Sequence, residues 1–112
     1  MSRLLAAALA LTLAVPALAN DSLGSAGTVD FVDVNAPTGT TYLQYHGRVF
    51  VTSPAGAAEY RWGGSSCSNK SLSDANVALL VRALESGLLV TPRFQAGQGS
   101  NRCLVGFTLR VP

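Results

Sequence analysis

Few residues in this chain could do chemistry. His46 is the only histidine among 112 residues, and Ser65, Ser66, Ser68 and Ser71 cluster around Cys67. A serine hydroxyl becomes a nucleophile when an imidazole takes its proton and a carboxylate orients that imidazole. His46 with one of these serines, and Asp30 or Asp33 as the orienting acid, would make a small secreted hydrolase. The run Gly63-Gly64-Ser65-Ser66-Cys67-Ser68 lacks the second glycine of a nucleophile elbow, so such a site rests on tertiary geometry alone. A Cys67 nucleophile needs a reduced thiolate and leaves Cys103 without a role. One histidine and two cysteines lack zinc-ligand spacing, and no phosphate-binding glycine motif is present. The sequence predicts no cofactor and no metal.

Binding chemistry has a denser focus. Tyr60, Arg61 and Trp62 stand together ahead of Gly63-Gly64, and tyrosine, arginine and tryptophan dominate the energetics of many interfaces. If Cys67 and Cys103 are joined, the Gly97-Gln98-Gly99 loop and Arg102 come close to them. The candidate binding residues are therefore Tyr60, Arg61, Trp62, Gln98 and Arg102. A plainer assignment has Trp62 covering the disulfide, Tyr60 packing in the sheet and Gly63-Gly64 turning the chain. Trp62, the only tryptophan, could also stack on a sugar, which makes a glycan or small-ligand carrier a further reading.

The first 19 residues explain the cysteines. Arg3 precedes an apolar run from Leu4 to Val15, and Ala17-Leu18-Ala19 places small residues before a cut. That layout is a cleaved secretory signal peptide, shorter than the roughly 20 apolar residues of a membrane span. The Ala/Leu-rich run has a bacterial look, and export to the periplasm or the medium follows. There two cysteines pair most simply with each other. Loss of Arg3 takes the formal charge from +2 to +1, and the remaining charges are scattered singly. A nucleic-acid partner, which needs a basic stripe, is not expected.

The elements that must position these residues are β-rich with one helix. The domain reading is a leader over 1–19, a flexible tail over 20–27 and a single domain over 28–112. Thr28–Val34 reads as a strand without clean alternation, and Thr40–Ser53 as a second β region in which His46-Gly47 is a tight hairpin turn or, less favoured, a bulge. Pro54–Ala58 is a turn before a short strand ending at Trp62. Residues 74–86 form the helix, with Ser73 as N-cap, Asp74 in the first turn, Gly87 at the C-terminus, and an apolar stripe of Val77, Leu80, Val81, Leu84 and Leu88. Two strands flanking the 96–101 loop close the chain. Pro92 implies an edge or a bulge, and alternation in the last strand puts Cys103 on the core side.

The expected architecture is α+β: an antiparallel sheet of about five strands, one helix on a face, and one disulfide. The leading functional reading is a small exported, non-enzymatic binding protein. Its partner would be another envelope or extracellular protein, for instance a hydrolase that it inhibits or assists.

Overall fold

Local signals define the helix. In a computed structural model, which describes residues 21–112, α1 spans Asp74–Ser86. Ser73 caps it, its Oγ accepting the backbone N–H of Asn76 at 3.2 Å. Gly87 ends it in the left-handed region at φ 65°, where a residue without Cβ is unstrained. Leu80 and Ala83 are fully buried, with Val77, Leu88 and the preceding Leu72 packed at the margin. Val81 and Leu84 stay partly exposed. The buried line, centred on Leu80 and Ala83, is thus rotated from the expected stripe. The leader expected over 1–19 lies outside the described residues.

Six strands form one mixed sheet: β1 Ser22–Leu23, β2 Thr28–Val34, β3 Gly47–Ser53, β4 Gly56–Trp62, β5 Leu89–Ala96 and β6 Arg102–Arg110. Their order is β1-β5-β6-β4-β3-β2. All neighbours are antiparallel except β4 and β6, which run parallel and meet at Arg61 and Cys103. The sheet is therefore mixed rather than antiparallel, and it has six strands rather than about five. The parallel contact joins segments separated by the helix, so no local pattern announces it.

β1 and β2, at the two ends of this order, are consecutive parts of one extended segment. Gly27 lies between them and exchanges backbone hydrogen bonds with Val90 of β5, at 3.0 and 2.8 Å. A Cβ at Gly27 would lie 2.2 Å from the Thr52 carbonyl oxygen of β3, so glycine is required where the segment changes partner. The sheet thus curls into a partly open Greek-key barrel. Within 21–27, expected as part of a flexible tail, Ser22–Leu23 pair with β5, and Gly24 and Gly27 bond the Pro92 and Val90 backbone, so the edge of β5 holds this stretch. Val29, Val49, Val51, Tyr60, Trp62, Val90 and Leu104 fill the interior, with Leu80 and Ala83 from α1.

Two bulges set which side chains face inward. One falls between Val29 and Phe31, which accounts for the broken alternation of β2. The other lies in the β5–β6 pair, where Arg93 faces Gly106 but Phe94 faces Leu104, leaving Val105 as the extra residue. Leu104 therefore joins the core with Phe107 and Leu109 beyond the bulge. Cys103, expected on the core side, is fully buried, but on the sheet face it shares with its partner Arg61 rather than the face of Leu104, covered there by the disulfide loops. Pro92 is paired on a central strand one residue from this bulge, not at an edge.

His46-Gly47 is neither a hairpin turn nor a bulge. Thr40–Leu43 is a short 3-10 turn, and β3 begins only at Gly47. Gly47 is small because Trp62 lies against it: an added Cβ would come within 2.2 Å of the indole ring.

Candidate functional site

The aromatic and arginine side chains divide between the two faces of β4. Tyr60 and Trp62 point inward and are only 3% and 2% exposed, so the outer surface holds neither ring. Tyr60 reaches one end of the barrel, where burial raises its phenol pKa. Arg61 points outward, as do Arg48 and Glu59 on neighbouring positions. Of the candidate binding residues, the fold thus brings Arg61 and Gln98 to the outer surface around the disulfide, while Arg102 lies over the Tyr60 ring, 5.9 Å from its centre, at a separate cleft. The same fold places Tyr60 and Trp62 on the inner side.

The disulfide Cys67–Cys103 is formed. It ties the 63–67 loop to β6 on the outer side, and the loop after β5 folds against it. Gln98 donates its backbone N–H to the Ser66 carbonyl at 3.0 Å. Gly97 rests on the sulfur, since a Cβ there would come within 2.3 Å of Cys103 Sγ. The covalent tie thereby fixes both loops beside Arg61, whose Nη1 donates to Ser66 Oγ at 3.4 Å.

Arg48 anchors the outer face of β2, β3 and β4. Its Nε donates to Asp33 Oδ2 at 2.7 Å and its Nη1 to Glu59 Oε2 at 2.9 Å. Its guanidinium carbon lies 5.4 to 5.8 Å from the ring centres of Phe50, Tyr45 and Phe31, within cation–π range. Arg61 also donates to Glu59 Oε2, at 3.2 Å, and sits 4.4 Å from the Tyr45 ring centre. Phe31 and Phe50 stack at 4.5 Å, and Phe31 remains 40% exposed. Burial works to raise the Glu59 pKa, but the hydrogen bonds from Arg48 and Arg61 outweigh it and hold the carboxyl below its ordinary value. Glu59 and then Asp33 raise the Arg48 pKa further.

Phe31, Tyr45, Arg48, Phe50 and Glu59 are the residues that sequence reasoning passed over. The run Gly47–Ser53 does alternate Arg48, Phe50 and Thr52 against Val49 and Val51. The large apolar Phe50 on the outer side and the bulge in β2 conceal that this row is a surface.

His46 and Ser71 are in contact at a separate cleft of about 420 Å³ between the β2–β3 connection and the start of α1. His46 Nδ1 lies 3.1 Å from Ser71 Oγ, and the imidazole stacks on Tyr42 at 4.0 Å. Neither candidate orienting acid joins them: Asp33 bonds Arg48 and Asp30 accepts from Thr52 Oγ1. Trp62 forms part of this cleft from beneath. Among the described residues no cluster of three or more potential metal ligands occurs, and no helix is long and apolar enough to cross a membrane.

No protein-family model matches this chain, and no curated protein or solved structure is significantly similar to it.

Proposed function

We propose that the protein is a small exported binding module, non-enzymatic, whose recognition surface is the outer face of β2, β3 and β4. The observation that carries this reading is the half-exposed Phe31–Phe50 stack beside an arginine held in place by two carboxylates and three rings. Such a surface is pre-organised: its long side chain is ordered before a partner arrives, which lowers the entropic cost of binding. Arg61 and Gln98 extend it toward the disulfide. With β1 and β2 as one segment and α1 between β4 and β5, the strand order resembles that of OB-type barrels, which hold ligands on the face of the strands corresponding to β3 and β4. The leader-like first 19 residues and the disulfide support a periplasmic or secreted location.

The partner is an envelope or extracellular protein of mixed charge. Asp33 and Glu59 neutralise much of the local arginine charge, which disfavours a polyanion such as nucleic acid. Cross-linking and recovery with the tagged mature chain tests the reading. One protein should be recovered with wild type and lost with Phe31→Ser, whose melting temperature should stay close to wild type. Equal recovery with both would remove the outer face as the site.

A hydrolase remains the second reading because His46 does contact Ser71. It requires that His46→Ala and Ser71→Ala each abolish turnover of an ester substrate while the fold persists.

A further inference from the structure

β4 and β6 meet only at the pair Arg61–Cys103. Before Arg102 β6 has not yet begun, and among the described residues no strand lies beside Gly56–Glu59 on that side. Asn35 donates to the His46 carbonyl, which sets the alternation of β3 and, through the register of β4, turns Ala58, Tyr60 and Trp62 toward β3. The backbone groups of Ala57 and Glu59 therefore face the gap. The Glu59 carbonyl confirms the direction by accepting from Arg102 Nη1 at 3.4 Å. The N–H and C=O of Ala57 and the N–H of Glu59 are left as an open strand edge.

Beside this edge lies a cleft of about 270 Å³. Leu23, Ala57, Ala58, Tyr60 and Phe94 contribute to its wall, and Arg102 is the one charged residue that borders it. The alanines leave room, while Tyr60 and Phe94, with ring centres 5.4 Å apart, give it an aromatic floor. Arg102 forms no salt bridge with a described carboxylate. The β5–β6 connection bends onto the 63–67 loop through Gln98 and Ser66, so the line along which β6 would continue stays clear.

We propose that this edge binds the carboxyl-terminal strand of a partner polypeptide, laid parallel to β4 in the place of the missing start of β6. Its free carboxylate meets Arg102, and one apolar side chain enters the cleft over Tyr60 and Phe94. Charge fixes the direction. A strand running parallel to β4 ends at Arg102 with a carboxylate, whereas an antiparallel strand would bring an ammonium group there. Main-chain hydrogen bonds supply affinity, and the cleft and Arg102 supply selectivity. This site is distinct from the Phe31–Phe50 surface and does not depend on that reading.

The test uses an acetylated valine- and threonine-rich hexapeptide with a free carboxylate, and the same peptide as its carboxyl-terminal amide. Titrated into the mature disulfide-bonded chain, the free acid should bind at least tenfold more tightly than the amide and protect the Ala57 and Glu59 amide protons from exchange. Arg102→Gln should bring the acid down to the level of the amide. N-methylation of the peptide nitrogen opposite Ala57 should abolish binding without any change to the protein. Equal affinity for acid and amide, indifference to N-methylation, or no binding would each overturn the proposal. So would self-association through the β4 edge that the peptide does not disturb.

Discussion

Arg48 and Glu59 face one another across β3 and β4, with Nη1 2.9 Å from Oε2. Glu59 accepts from Arg61 as well, and Arg48 from its other side reaches Asp33. The three strands of the outer face are thereby laced by one network of charges, each roughly three-quarters hidden from water except the more open Asp33. Bonds of this kind, half-screened by ring faces, are worth more than free surface pairs but cannot be read as large stabilising terms. Their value for binding is order.

The network predicts a pH dependence. Glu59 is held below its usual value of 4.5, so its contribution to stability is present above the unfolded-state value and is lost as pH falls through the lower folded-state value. Melting temperatures of wild type and Glu59→Gln should therefore differ most near neutral pH and converge as the solution is acidified below about pH 4. A constant gap across that range would show that Glu59 gains nothing from its arginines. Arg48 stays charged throughout and adds no titration of its own.

Replacing Arg48 by methionine keeps much of the packing over Phe31, Tyr45 and Phe50 but strands Asp33 and half of the Glu59 bonding. A loss of about 1–3 kcal/mol is expected from leaving such groups without their partner. Urea unfolding measures it. A variant as stable as wild type would mean that the arginine serves binding alone.

The Cys67–Cys103 bond closes a loop of 36 residues. The chain-entropy relation gives about 4 kcal/mol for its removal at that length. Cys67→Ser with Cys103→Ser should unfold at correspondingly lower denaturant, and the amides of Ser66 and Gln98 should lose exchange protection before the rest of the barrel. If the two loops stay protected, backbone bonds rather than the disulfide hold them.

Trp62 is a core residue, so its removal should act on stability. Trp62→Ala should cost about 3–5 kcal/mol, as large buried aromatic truncations do. Gly47→Ala should also destabilise, by about 1–3 kcal/mol or more, because the new methyl enters the indole ring. Titration with soluble glycans should leave Trp62 fluorescence unchanged. A strong quench would return the ring to a ligand site.

Much of this molecule was legible in local residue patterns. Ser73, Asp74 and Gly87 bound the helix because caps are formed by nearby backbone groups. The two strands around residues 96–101 and the turn at Pro54-Ala55 are equally local, since a hairpin brings its own partner. The disulfide follows from there being only two cysteines in the chain. Of the candidate site, Arg61, Gln98 and Arg102 were legible as neighbours of that bond.

Tertiary structure decided what faces where. One extra residue in a strand reverses the side of every residue beyond it, and the bulges near Asp30 and Val105 did this in β2 and β6. They put Cys103 on the opposite sheet face from Leu104, buried under its own disulfide loops, placed Leu104 in the core and exposed Phe31 beside Phe50. The parallel contact of β4 with β6 and the passage of one segment from β5 to β3 join residues far apart in the chain. Their hydrogen bonds have no local sequence period. Sequence alone determined the helix and the strands whose signals are local, through interactions between near neighbours, but not β1 or the 3-10 turn at Thr40–Leu43. Only the curled sheet determined which of its aromatic and arginine residues meet water.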